Sequence, residues 1–193
     1  MNNVKFMESN TEKLLINSFA CKAQTGCKYN FYAEIASKEG YELIAKIFRQ
    51  TAEHEFMHAK LFFNHLENAK DGKIDCQYSY TIGSTEENLY YSIQEEEFGC
   101  QEVYKNAEKT ALEEGFDSIA STFKHVRNAE SYHLSRFRIL YQNIKNNTFF
   151  DKESEHIWVC QRCGYCFEDR SAPNFCPNCY APKSYFEIMC QKY

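Results

Sequence analysis

The chain has 193 residues, with 22 Lys and Arg against 27 Asp and Glu, and its net charge of −5 excludes the clustered basic chemistry of nucleic-acid binding. Scarce glycine and proline (7 and 3) beside 16 Phe and 14 Tyr exclude a loop-rich fold and favour long helices around an aromatic core. No run of about 18 apolar residues and no leader-like N-terminus occurs, so a soluble, cytoplasmic protein with no membrane partner is expected, and its cysteines are expected to bind metal rather than form disulfides.

In chain order, spacings of three and four predict a first helix over 11–37, with Leu15, Phe19, Lys22, Gly26, Tyr29 and Ala33 on one face. Gly40 ends it. A second helix is expected over 41–69, with Ile44, Phe48, Thr51, Glu55, His58 and Phe62 on its stripe, closed by the turn signal Asp71-Gly72. Residues 71–84 are long for a helix–helix loop, which predicts a crossover along a bundle and places helices two and three parallel. Ser84 or Thr85 is expected to cap the third helix, with Glu86 and Glu87 in its first turn. Its stripe is Leu89, Ser92, Glu96, Gly99 and Val103, and Gly115 separates it from a fourth helix over 117–145 carrying Ile119, Phe123, Val126, Glu130, His133, Phe137 and Leu140.

Glu55-x-x-His58 and Glu130-x-x-His133 each put two side chains on one helix face, inside otherwise apolar stripes. Isolated charges are not buried without partners. Two such pairs, with Glu96 on a third helix, make a shared metal centre the simplest explanation, and carboxylate plus imidazole suits iron or manganese.

After Asn146-Asn147 the periodicity stops. Residues 151–156 read as a charged linker, and about forty residues follow that are too few to fold on an apolar core alone. Two Cys-x-x-Cys turns, Cys160/Cys163 and Cys176/Cys179, would make a tetrahedral four-sulfur cage for zinc or iron, whose binding supplies the missing folding free energy. Trp158, Tyr165, Phe175 and Phe186 are expected to form an apolar shell around it. Cys166 and Cys190 are surplus to the cage.

The stretch Trp158-Val159-Cys160-x-x-Cys163-Gly164-Tyr165, followed by Cys176-Pro177-x-Cys179, resembles rubredoxin. With the helix order, both E-x-x-H motifs and the runs Lys38-Glu39-Gly40-Tyr41-Glu42 and Glu113-Glu114-Gly115-Phe116, nearly the whole chain resembles the rubrerythrin family. The resemblance implies a mainly α, ferritin-like four-helix bundle in residues 1–150 and a rubredoxin-like domain in 155–193. It implies hydrogen peroxide reduction at a non-haem di-iron centre. Electrons would pass through the tetracysteine iron from an NAD(P)H-dependent reductase or rubredoxin, in a homodimer. Zinc suits the ligand types of either site as well.

Residue by residue, Glu55, His58, Glu96, Glu130 and His133 fall on family ligand positions. Glu55 and Glu130 would bridge the metals, and Glu96 and His133 would complete one iron. Tyr29 and Tyr104 match tyrosines that hydrogen-bond ligand carboxylates. Lys22 and Gly99 stand where the family has glutamates for the other iron, the one His58 reaches on reduction. The Lys22 ammonium is expected to face inward, hydrogen-bond Glu55 or Glu130 and stand in for a cation. Gly99 is expected to open space for water or substrate. If the bundle site is mononuclear or empty, the alternative function is metal binding or electron transfer without peroxidase activity.

Overall fold

The structure is a computed structural model, and residues 5–66, 78 and 80–189 are described. The helices are α1 (Asn10–Lys38), α2 (Glu42–His65), α3 (Thr85–Phe98), α4 (Tyr104–Glu113) and α5 (Asp117–Lys145). A π-helical segment, Gly99–Val103, joins α3 to α4, so the third expected helix is one rod with a widened turn. Most of the 71–84 crossover lies outside the described residues, as does the expected extension of α2 beyond Leu66. Among the described residues no helix is long and apolar enough to cross a membrane.

Local chemistry sets the helix ends. Ser84 and Glu87 form a reciprocal capping box at the start of α3, and Ser9 accepts from the Glu12 N–H at the start of α1. Gly40 and Gly115 take φ of 85° and 86° behind α1 and α4, conformations that L side chains resist. The chain there reverses within a few residues, and α1 packs along α2 while α3 and α4 pack along α5.

Two apolar clusters fill the bundle. One holds Tyr29, Tyr32, Ile44, Phe48, Leu89 and Phe137; the other holds Leu15, Phe62, Tyr104, Ile119, Phe123 and Val126. Burying one such large side chain stabilises by about 1.5–3 kcal/mol. Between the clusters the stripes turn polar, and there lie Lys22, Glu55, Glu96, Glu130 and His133.

One cap crosses the bundle. The Glu114 carboxylate accepts from the Thr11 N–H and hydroxyl at 2.8 and 2.6 Å and from the Asn10 N–H at 3.2 Å. Partial desolvation opposes its ionisation, but the hydrogen bonds from Thr11 and Asn10 outweigh that and hold its pKa below the ordinary 4.5. A depressed folded-state pKa contributes stability above the unfolded value that is lost as pH falls through the folded one. Glu114→Ala should therefore cost about 1–2 kcal/mol at neutral pH. In thermal unfolding, the gap to the native sequence should shrink progressively once pH falls below the ordinary carboxylate value. A gap that persists unchanged in acid would contradict this assignment.

After α5 a three-stranded antiparallel sheet forms in the order β2-β1-β3, from β1 (Asp151–Cys160), β2 (Cys166–Ser171) and β3 (Phe186–Ile188). The expected linker 151–156 is thus the first half of β1. Its charged side chains are mostly exposed, and regular pairing with β2 runs from His156↔Asp169 to Val159↔Cys166. Charge marks a solvated strand edge as readily as a linker.

Candidate metal centres

In the sheet region, the turns after β1 and before residue 181 bring four sulfurs together. Cys160 Sγ lies 3.7 Å from Cys179 Sγ, Cys163 Sγ lies 3.6 Å from Cys176 Sγ, and all four thiols lie within 4.8 Å of one another. All are free thiols. Hydrogen bonds from the Asn178 side chain and the Tyr165 backbone pull Cys163 down to about 6, which favours the thiolate a metal needs. Trp158 and Phe186 are buried against the cage, and the Trp158 ring N–H donates to the Asp169 carbonyl at 3.0 Å. Tyr165 and Phe175 do not join the expected shell, being 37% and 64% exposed. Phe175 sits on an isolated bridge to Pro182, where backbone pairing rather than side-chain packing fixes it. Cys166 is exposed, and Cys190 lies outside the described residues.

In the bundle, one donor atom from each of Glu55, Glu96, Glu130 and His133 lies within 4.8 Å of the others, and all four residues are buried. Helix periodicity accounts for this: α2 supplies Glu55, α3 supplies Glu96 and α5 supplies Glu130 and His133, each on the inward stripe. Glu55 Oε1, Glu96 Oε2 and His133 Nδ1 make no hydrogen bond among the described residues, and Glu130 Oε1 has only the His58 imidazole, 2.8 Å away. His133 Nδ1 is 3.3 Å from Glu55 Oε1 and 3.8 Å from Glu96 Oε1. Buried polar atoms left unpaired are costly, and a cation among them would satisfy all four. One metal position therefore fits.

The other does not. Lys22 on α1 is 5% exposed, and its Nζ lies 2.6 Å from Glu55 Oε2 and 2.5 Å from Glu130 Oε2. Burial opposes its charge, but the carboxylates of Glu130 and Glu55 overcome this and raise its pKa well above the usual lysine value. Glu130 is correspondingly driven well below the ordinary carboxylate range: burial disfavours its charge, and Lys22 with its neighbours reverses that. Glu96, buried and beside Glu130, is pushed well up. The expected inward lysine is found, and it engages both carboxylates.

His58 Nδ1 faces Glu130 Oε1 at 2.8 Å and Glu55 Oε1 at 3.7 Å. Desolvation lowers its pKa, but these carboxylates prevail and raise it to about 9. Tyr29 donates to Glu96 Oε1 at 2.7 Å, as expected. Tyr104 does not hydrogen-bond a ligand carboxylate among the described residues; its ring lies 5.6 Å from Lys22 Nζ. The group on that side is an ammonium, with no acceptor to offer.

Beside the widened turn of the π segment, Tyr104 is buried in the second apolar cluster and Val103 packs half-buried against it. Gly99 borders a cavity of about 400 Å³ that Lys22, Tyr29, Glu96 and Tyr104 also line. Glu95 is committed to Lys28 at 2.7 Å and Glu97 to Arg138 at 2.8 Å, and Cys21 and Cys27 are exposed, so none of these replaces the missing glutamates. The sequence reading missed His54, whose Nδ1 is 3.0 Å from His133 Nε2. This contact fixes the His133 ring so that Nδ1 faces the carboxylates. The signal was present: His54 is four residues before His58, a neighbour on the same helix face.

The fold and site define a class: a ferritin-like bundle with a carboxylate–histidine iron group, followed by a tetracysteine iron site. Family comparison agrees. The model described as "Rubrerythrin" matches residues 13–141, and "Rubrerythrin, rubredoxin-like domain" matches residues 158–187. The chain belongs to the rubrerythrin family. It is 38% identical to "Rubrerythrin-1" of Clostridium acetobutylicum, covering 95% of this chain and 96% of that one. It is 39% identical to "Rubrerythrin" of Porphyromonas gingivalis, covering 96% and 92%. Among solved structures, fully reduced, all-ferrous nigerythrin superposes with a TM-score of 0.65 at 25% identity, covering 98% of this chain and 94% of that one.

Proposed function

We propose that this chain is a cytoplasmic peroxidase that reduces hydrogen peroxide to two waters, taking up two electrons and two protons per turnover. The observation that carries the reading is the pairing, in one chain, of a buried donor group aimed at a single cation position with a four-sulfur cage. Iron held by the bundle donors would supply one of the two electrons for O–O cleavage, and iron held by Cys160, Cys163, Cys176 and Cys179 would supply the other, both being restored by the external donor.

In this reading Glu55, Glu96, Glu130 and His133 hold the bundle iron, with His58 kept at its edge by Glu130. Residues 1–150 form the reacting bundle and 155–193 the relay. The cavity beside Lys22 and Gly99 admits a small substrate. Tyr29, bonded to Glu96, can pass a proton toward that side, and Tyr104 shields it from bulk water. An NAD(P)H-dependent reductase or rubredoxin is the electron donor, and a second copy of the chain is the partner in a homodimer.

Lys22 favours a second reading, in which the altered bundle binds metal or transfers electrons without peroxidase activity. One experiment separates them. Protein reduced with dithionite in the absence of air should regain its sulfur-to-iron absorption within seconds of adding hydrogen peroxide. Spectra that stay bleached would reject the peroxidase and leave the second reading.

A further inference from the structure

A carboxylate that bridges two cations gives one oxygen to each. Glu55 and Glu130 are arranged in that way. Glu55 Oε2 and Glu130 Oε2 both point to Lys22 Nζ, at 2.6 and 2.5 Å. Their other oxygens face the imidazoles: Glu55 Oε1 is 3.3 Å from His133 Nδ1, and Glu130 Oε1 is 2.8 Å from His58 Nδ1. Each carboxylate has the ammonium on one side and an imidazole on the other.

A Cβ on Gly26, one turn further along α1, would come within 3.2 Å of the Ala52 carbonyl oxygen and 3.5 Å of Glu55 Cβ. Glycine at 26 eases the close approach of α1 to α2 on the turn after Lys22. Ser18 and Thr25 on the neighbouring turns are buried with it.

Charge sets the number of metals. With the imidazoles counted as neutral, three carboxylates against one divalent ion and one ammonium leave no net charge, and a proton on His58 would only add to the positive side. A second divalent ion beside the ammonium would leave two uncompensated positive charges in the interior, which low-dielectric surroundings penalise strongly. That ion would also find no terminal carboxylate, since position 99 has no side chain and Glu95 and Glu97 are paired elsewhere.

We propose that the bundle is a one-iron site in which the Lys22 ammonium is a covalently built-in second cation. The proposal needs only that the bundle bind iron; it stands or falls independently of peroxide turnover.

The test is iron counting and electron paramagnetic resonance on the full chain purified and loaded without air, then oxidised. About two irons per chain are expected, one in the cage and one in the bundle, giving two isolated high-spin ferric signals of similar integrated intensity. Lys22→Glu combined with Gly99→Glu restores two carboxylates, and a Cβ at position 99 meets only the Tyr104 ring at an ordinary 3.5 Å. That variant should rise to about three irons, with the bundle signal lost to coupling within the pair. Three irons with a coupled pair in the unaltered chain would overturn the proposal, as would an iron-free bundle. A folded double variant that stays at two irons would also overturn it. If the double variant does not fold, the count and the spin intensity of the unaltered chain decide alone.

Discussion

Lys22→Met should lower the thermal midpoint of the metal-free bundle by about 10 °C. Methionine matches the lysine stem in length and keeps the packing, so the change isolates the charge. The ammonium is the cation shared by Glu55 and Glu130, both fully buried. Removing one partner of a buried ion pair typically costs about 3–5 kcal/mol, and here the two carboxylates would keep only His58 as a counter-charge. For a chain of this size each kcal/mol moves the midpoint by roughly 2–4 °C. Ferrous ion should recover more of the loss in the variant than it adds to the unaltered chain, since the metal then neutralises carboxylates that lack the ammonium. Circular dichroism at the helix band, with and without iron, measures both effects. An unchanged midpoint in the metal-free protein would mean that Lys22 does not compensate these carboxylates.

Cys176→Ser should unfold the sheet region while leaving the helices intact. Cys176 is wholly buried in a small cluster with Trp158, Cys160, Ala172, Ala181 and Phe186. So few apolar residues cannot hold a unit of this size, and structural tetrahedral sites of this type contribute on the order of 10 kcal/mol to folding. Serine is a poor ligand for a soft, thiolate-preferring metal. Trp158, the only tryptophan, reports on the event directly: its emission should shift to that of an exposed indole, and the chelated unaltered protein should behave alike. A variant whose Trp158 emission stays that of a buried ring would show that the sheet folds without its metal.

Much of this architecture is legible in the sequence, for identifiable reasons. Charged residues in an apolar helical stripe are so improbable without partners that Glu55, Glu96, Glu130 and His133 declare the site by position, and Lys22 does so for the same reason. Ser84 with Glu87, and the glycines at 40 and 115, mark helix ends through local chemistry that needs no tertiary information. The π segment is different. Nothing in Gly99–Val103 encodes a widened turn, and both Val103 and Tyr104 beside it pack on the same apolar cluster. The Glu114 cap is likewise hidden, since it joins residues more than one hundred positions apart. The strand over 151–156 was read as a linker because its pairing partner, and not its own composition, makes it a strand. His54 was passed over because it lies at the rim of the stripe, where an imidazole usually meets solvent.

The central claim is that three carboxylates and His133 surround one cation position while Lys22 occupies the other. A crystal structure of the iron-loaded chain, with anomalous scattering recorded at the iron edge, tests it most directly. The account predicts one peak among Glu55, Glu96, Glu130 and His133, a second inside the four cysteines, and the Lys22 ammonium still against both Glu55 and Glu130. Two peaks in the bundle, with the lysine turned away, would contradict it.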